Sequence, residues 1–269
     1  MRETDSFFEK EKIEYFAVLP YSMCRETAPE IMERESFAPK SVIIFLIPYY
    51  TGGGKNISCY ATSRDYHIAI KEISSRLIEL LSDKFPEAHF RAYGDHSPLD
   101  ERHAAIAAGL GILGESGLLI NEKYGTYVFI ADVVTDIEPA LLGAKTTPEE
   151  LRFCHRCQAC KKACPTGILR GESAQCLSFI TQKKGELSEE EAALMRKYNT
   201  AWGCDVCQSV CPYNKDAKLT PIPFFYEERI DNLSGEILSA MSKEEFKTRA
   251  FAWRGRKTLE RNLKILEEK

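Results

Sequence analysis

No stretch of this chain approaches the roughly 20 consecutive apolar residues that a membrane-spanning helix needs, so a bilayer partner is not expected. Residues 1–12 are rich in charge and lack the apolar centre of a secretion signal. The expected compartment is therefore the cytoplasm, where thiols stay reduced. Basic excess is missing as well: 36 Lys and Arg against 40 Asp and Glu leave a net charge of −4. No overall field points to nucleic acid, although local patches can still bind it. Low-complexity tracts are absent, and the single internal echo is a pair of cysteine half-motifs. What remains is 269 residues, 44% hydrophobic and 28% charged, which fits an ordinary soluble globular protein of one to three domains.

The informative excess is cysteine. Eight of the ten cysteines fall between Cys154 and Pro212. The first group reads Cys154-x2-Cys157-x2-Cys160-x3-Cys164-Pro165, and the second Cys204-x2-Cys207-x3-Cys211-Pro212, with Cys176 between them. The first spacing is the bacterial ferredoxin pattern, in which the fourth thiolate ligates the other cluster. On that logic Cys154, Cys157, Cys160 and Cys211 hold one [4Fe–4S] cluster. Cys164, Cys176, Cys204 and Cys207 hold a second, with Cys176 supplying the ligand that the shorter half-motif lacks. Structural zinc explains neither cysteine–proline pair. A disulfide framework suits small secreted domains rather than a chain of this size. Cys24 has no neighbouring ligand and reads as a buried or incidental thiol.

Along the chain, Phe7, Phe8, Ile13, Phe16 and Ala17 suggest a short amphipathic helix over 6–18. Residues 41–47 (SVIIFLI) form an apolar run of strand length, buried on both faces. Gly52–Gly54 then reads as a mobile loop, since the following Lys55 lacks the Ser/Thr of a phosphate cradle. Asp65 is a plausible N-cap for a helix to about Lys84, with Ile70, Ile73, Leu77 and Leu80 at helical spacing. Short strand 90–93, a turn at Asp95-His96-Ser97-Pro98, helix 101–108 and a strand within 124–135 follow. Residues 136–150 read as a linker. Ser188 and Glu191 form a capping box for a helix to about Lys197, and further helices close the chain. Gly109, Gly111 and Gly114 either let backbone approach a flat ligand or make a plain turn. His67, His96 and His103 read as surface or hydrogen-bonded groups rather than metal ligands.

The expected fold class is α+β. An α/β domain spans 1–148, a ferredoxin-like domain with two clusters 149–216, and a helical segment packing on the others 217–269. Two basic tracts stand out. One comprises Arg152, His155, Arg156, Lys161, Lys162 and Arg170. The other comprises Lys247, Arg249, Arg254, Arg256, Lys257, Arg261 and Lys264, with Phe251 and Trp253 interleaved. The second is either a surface where aromatics stack on bases or a solvated helix face with a packed aromatic edge.

The cysteine pattern joins other motifs: Arg64-Asp65-Tyr66-His67, Asp95-x2-Pro98-x2-Glu101-Arg102, Ala108-Gly109-Leu110-Gly111-x2-Gly114, Cys176-Leu-Ser-Phe-Ile-Thr181, Trp202-Gly-Cys-Asp-Val-Cys207 and Arg256-x3-Glu260-Arg261-Asn262. In this order they resemble the epoxyqueuosine reductase family, relatives of the reductive dehalogenases, over about residues 41–266. The resemblance implies a nitroreductase-like first domain that binds cobalamin without a protein axial ligand. It also implies two [4Fe–4S] clusters and reduction of epoxyqueuosine to queuosine in a tRNA anticodon stem-loop. An external donor such as ferredoxin or flavodoxin would supply the electrons. Asp95 matches the family's proton donor, and to act at neutral pH it must be desolvated. Cys59, Arg64, Gly111, Gly114, Ser178 and Asp205 fall at or near cobalamin-binding positions. No Asp-x-His-x2-Gly motif for a histidine-ligated cobalamin is present. The sequence departs from the family at Glu115-Ser116, and it stops at Lys269 where full-length members continue into a helical-repeat domain, so a short form is expected. Rival readings are a corrinoid iron–sulfur reductase for a small molecule, such as a halogenated compound, and a non-catalytic electron carrier.

Overall fold

The computed structural model describes residues 3–144, 147–170 and 176–268. Within the 136–150 stretch, residues 145–146 lie outside the described ones, as does the side chain of Arg170. The chain forms two compact units. The first comprises Met1–Pro48, Ala69–Arg156 and Asp216–Ile222; the second comprises Tyr49–Ile68, Cys157–Lys215 and Pro223–Lys269. The linear three-part division is thus replaced by an interleaved one. Residues 49–68 belong with the cysteine-rich unit, and the closing helices are part of that unit rather than a third body.

The first unit is built on strands β1 (Phe16–Pro20), β2 (Ser41–Pro48), β3 (Phe90–Tyr93), β4 (Ile112–Leu113), β5 (Leu119–Ile120) and β6 (Val128–Thr135). The main sheet has the order β1-β2-β6-β3, and every pairing in it is antiparallel. Antiparallel pairing with helices laid against the sheet is the α+β class. All eight residues of β2 are buried, so the apolar run packs on both faces. Full burial of each of Ile43, Ile44, Phe45, Leu46 and Ile47 contributes about 1.5–3 kcal/mol. The N-terminal helix, α1 (Glu3–Lys10), is shorter than expected. Phe16 and Ala17 leave it to pair with Phe45 and Ile44 on the sheet edge. A continuous β2 backbone is a stronger partner for them than one more helical turn.

Helix α2 (Pro29–Met32) is one turn. Helix α3 (Tyr66–Lys84) is capped as the sequence suggests, Asp65 Oδ1 accepting from the His67 N–H at 3.0 Å, and it buries Ile70, Ile73 and Leu77. Helix α4 (Glu101–Ala107) packs on β2 and β6, burying Ala104–Ala107. The second unit carries α5 (Ala159–Ala163), α6 (Leu177–Thr181), α7 (Glu189–Tyr198), α8 (Val206–Ser209), α9 (Gly235–Ala240), α10 (Lys243–Lys247) and α11 (Arg256–Glu267). The Ser188–Glu191 capping box opens α7 as expected. The core of this unit gathers Trp202, Leu238, Phe251, Leu259 and Leu263. The Asn262 amide, fully buried, ties it together by donating to the Thr181 and Ala201 carbonyls, each at 2.7 Å.

Candidate functional site

Seven of the eight expected ligands, from Cys157 to Cys211, lie in the second unit, and Cys154 lies in the first. Burial raises the Cys204 thiol to about 11, and the thiols of Cys176 and Cys164 beside it push the same way. Cys207 is raised to about 12 by burial, then by Cys204 and Cys176. Burial also raises Cys160, whose neighbouring thiols are Cys157 and Cys211. Cys160, of the other expected set, also raises Cys207. Among the described residues no three His, Cys, Asp or Glu side chains close on one point as ligands of a single ion would. Thiolates on the separate irons of a cubane stand wider apart than the ligands of one ion. In the first unit, the Glu115 N–H donates to Cys154 Sγ at 3.4 Å, and Arg156 pairs with Glu115 at 3.5 Å. An N–H aimed at sulfur favours thiolate, and such bonds tune a cluster's potential.

The second unit also brings together two residues far apart in sequence. Asp205 Oδ2 accepts from the Cys59 backbone N–H at 2.7 Å and from Cys59 Sγ at 2.9 Å. Asp205 Oδ1 accepts from the Ser58 hydroxyl and, at 3.3 Å, from Gln208 Nε2. Cys59 is buried; that burial, then the Asp205 charge, drives its thiol far above the ordinary range. A cavity of about 180 Å³ adjoins this group, its lining including Lys55, Ser58, Asn199, Asp205 and Ser209. Ser58 was missed in the sequence; nothing marks it until Asp205 is placed opposite. Ser178 stands on α6, half-buried, and its hydroxyl accepts from Gln182 Nε2 at 3.2 Å.

Other expected contacts have local explanations. Arg64 pairs with Glu227 at 2.8 Å and stacks 4.5 Å over the Phe224 ring. A Cβ on Gly111 would lie 2.6 Å from the Ile120 carbonyl oxygen, so the β4–β5 hairpin alone demands glycine there. Gly114 meets Leu118 O at 3.1 Å in the same hairpin. The Gly52–Gly54 loop is held rather than mobile. Arg229 donates to the carbonyls of Thr51, Gly52 and Gly53 at 2.6, 3.1 and 3.3 Å.

The basic C-terminal tract divides. Arg249 is buried and donates to the Glu228 carbonyl at 2.6 Å. Arg256 binds the carbonyls of Leu238 and Met241 at the end of α9, and Arg261 binds Asn262 Oδ1 and the Lys183 carbonyl. Phe251 is fully buried and offers no stacking face, which corrects half of the aromatic expectation. Trp253 is 61% exposed with the Arg254 guanidinium 3.8 Å over its ring, and Lys247 and Lys257 are exposed.

In the first unit Asp95 sits on the turn after β3 with φ +70°, a left-handed conformation uncommon outside glycine. It is exposed, so the desolvation expected of a neutral-pH acid is not found at its own position. The buried acids are behind it. Glu101, at the start of α4, accepts from the backbone N–H groups of Ser97 and Asp95; burial, then the Asp95 charge, raises it to about 7. Asp132, on β6, is wholly buried and raised to about 8 by burial and then by Glu101. His67 is exposed and pairs with Asp65 at 2.8 Å.

Comparison with known proteins accounts for both ends of this arrangement. Residues 153–214 match the 4Fe-4S double cluster binding domain, and residues 34–96 match the epoxyqueuosine reductase QueG domain, DUF1730. An epoxyqueuosine reductase of Listeria monocytogenes is 30% identical over 97% of this chain and 72% of its own length. That of Bacillus subtilis is 34% identical over 77% of this chain but only 55% of its own length. Among solved structures, the epoxyqueuosine reductase of Streptococcus thermophilus has a TM-score of 0.77 at 23% identity, covering 98% of this chain and 80% of that one. A reductase solved with an epoxyqueuosine-modified tRNA-Tyr stem loop has a TM-score of 0.78 at 23% identity over the same shares. An identity of 30% along almost the whole chain, with both domain matches in register, places this chain in the epoxyqueuosine reductase family.

Proposed function

We propose that this chain is a cobalamin- and iron–sulfur-dependent reductase that converts epoxyqueuosine to queuosine in the anticodon stem-loop of a tRNA. The observation that carries the reading is the likeness, along nearly the whole chain, to enzymes of that name. The eight thiols support it with the two ligand sets given by the spacing: Cys154, Cys157, Cys160 and Cys211, then Cys164, Cys176, Cys204 and Cys207. The cavity beside Cys59 and Asp205 has a mixed lining, with Lys55, Ser58, Asn199 and Asp205 as polar groups that can meet the amide arms fringing a corrin, and its volume of about 180 Å³ takes such an arm and not the ring. When bound, cobalamin supplies a strongly reducing, nucleophilic cobalt, and the clusters supply its electrons one at a time.

The protein's own residues handle position and protons. Converting the epoxide to an alkene and water consumes two electrons and two protons. Asp95 delivers a proton to the oxygen that leaves carbon as a developing alkoxide. Asp95 is exposed, so a large substrate can reach it. Trp253, Lys247, Lys257 and Lys264 form the exposed part of the basic tract, with half-buried Arg254 stacked on Trp253, and suit an unpaired base and its phosphates. The physiological donor is an external one-electron carrier such as ferredoxin or flavodoxin, and the setting is the cytoplasm. Among the described residues no helix is long and apolar enough to cross a membrane.

The test is anaerobic reconstitution of the full chain with iron, sulfide, cobalamin and reductant, followed by an assay on epoxyqueuosine-containing tRNA. Cobalamin binding with formation of queuosine is the expected outcome. Failure to bind cobalamin removes the enzymatic reading. Binding without turnover on this tRNA leaves a corrinoid reductase with a different substrate.

A further inference from the structure

Three carboxyl groups in the first unit are in electrostatic contact, in the order Asp95, Glu101, Asp132. Their surroundings differ sharply. Asp95 is exposed on its turn. Glu101 takes the N–H groups of Ser97 and Asp95, which tethers it to that turn, yet its Oε1 is buried with no partner. Asp132 occupies the centre of β6, opposite Tyr93 on β3 and Ile44 on β2. Period-2 alternation sets it on the same face as Val128, Ile130 and Val134, in the apolar layer that α4 covers. Its relative exposure is 0%, and neither of its oxygens has a hydrogen-bond partner. The Ser97 hydroxyl is near enough to favour the charged form of Asp132 slightly, without reaching hydrogen-bond geometry.

Two ionised carboxylates are acceptors only, so Glu101 and Asp132, with three orphaned oxygens between them, cannot satisfy one another. A proton on the pair turns one carboxyl into a donor and removes the conflict. We propose that Glu101 and Asp132 form a buried proton-holding pair behind the 95–97 turn, which returns a proton to Asp95 each time Asp95 has given one up. This inference rests on Asp95 being the acid of the proposed reaction. The transfer balances simply: the Glu101 carboxyl loses a proton, the Asp95 carboxylate gains it, Asp132 replenishes Glu101, and solvent refills the pair through the exposed Asp95 once product has left. Glu101 and Asp132 act through Asp95 and touch no substrate.

The other groups facing the pair do not relieve it. Tyr93 and the Cys24 thiol feel the Asp132 charge, and Cys24 is itself pushed up to about 12, by burial first. Arg102 lowers Glu101, but less than burial and Asp95 raise it, and its guanidinium donates to the Gly117 carbonyl at 2.9 Å. The pair therefore titrates close to neutrality, where a store must both hold and release a proton.

Carboxyl infrared spectroscopy on the full chain tests this without requiring turnover. The wild type should show a protonated carboxyl band at pH 7 that fades as pH rises past about 8. Asp132→Asn and Glu101→Gln should each remove part of that band. Asp95→Asn, which removes a like charge, should shift the titration of the remainder to lower pH. No protonated band at pH 7 in the wild type overturns the proposal, and so does a band that Asp95→Asn leaves unmoved. Should Asp132→Asn fail to fold, Glu101→Gln carries the same comparison. In turnover, Asp132→Asn should move the alkaline limb of the kcat profile to lower pH with KM for tRNA unchanged; an unmoved limb in a folded variant contradicts the relay. If no form turns over, the infrared titration still decides whether the pair holds a proton, and it is the reading of Asp95 as the reaction's acid that falls.

Discussion

Two aspartates, one in each unit, stand in opposite condition, Asp205 half-buried and Asp132 wholly buried. Asp205 is saturated: Ser58, the Cys59 backbone, the Cys59 thiol and Gln208 all donate to it. Asp132 is buried more deeply and has no hydrogen-bond partner. A saturated carboxylate fixes the backbone around it, whereas an orphaned one is held neutral and becomes a place to keep a proton. The difference separates structural acid from functional acid more clearly than burial alone.

The largest effect expected is on the clusters that Asp205 adjoins in sequence. Cys207→Ser should cut bound iron from about eight per chain to about four and abolish turnover. Iron analysis showing no loss would break the ligand assignment. Next, Asp205→Ala should cost about 2–4 kcal/mol in denaturant unfolding, because it strands the buried Ser58 and Cys59 donors. A cost near zero would remove its anchoring role. Asp132→Asn should do the reverse as pH rises. The folded protein keeps the Asp132 proton up to about pH 8, whereas an unfolded chain loses it near 3.8. Stability therefore falls with rising pH across roughly that window and levels beyond it. The Asn variant should flatten the decline and exceed the wild type by about 2–4 kcal/mol at pH 8. Equal slopes in the two proteins would show that Asp132 is not held neutral.

A smaller version of the same contrast runs through the C-terminal arginines and aromatics. Arg256→Ala should lower stability by about 1–3 kcal/mol, since it removes donors from buried carbonyls. Trp253→Ala should leave stability within about 0.5 kcal/mol but weaken tRNA binding by about 1–3 kcal/mol. Binding measured by titration at two salt concentrations would separate this stacking loss from a phosphate contact.

How much of this was legible in the sequence follows from how local each signal is. The cysteine sets, the Asp65 cap and the Ser188–Glu191 box depend on residues a few positions apart, so spacing alone exposes them. The run at 41–47 announces its own burial. By contrast, Phe16 and Ala17 look like the continuation of a helix until β2 is available as a partner. Phe251 and Trp253 stand two residues apart with the same chemistry, yet one fills a core with Trp202 and the other faces water. Ser58 meets Asp205 across 147 residues. Asp132 lies inside the strand expected within 124–135, and nothing in that run singles it out. Only the pairing with β3 and the cover of α4 put it behind Asp95.

The central claim is that this chain reduces epoxyqueuosine with Asp95 as the acid. Single-turnover conversion of epoxyqueuosine-containing tRNA by the reconstituted wild type and Asp95→Asn tests it most directly. The account predicts queuosine from the wild type and a rate lower by about 10²–10⁴ in the variant, with cobalamin and iron content equal in both. Equal rates would contradict Asp95 as the acid, and absence of queuosine from a fully loaded wild type would contradict the reaction itself.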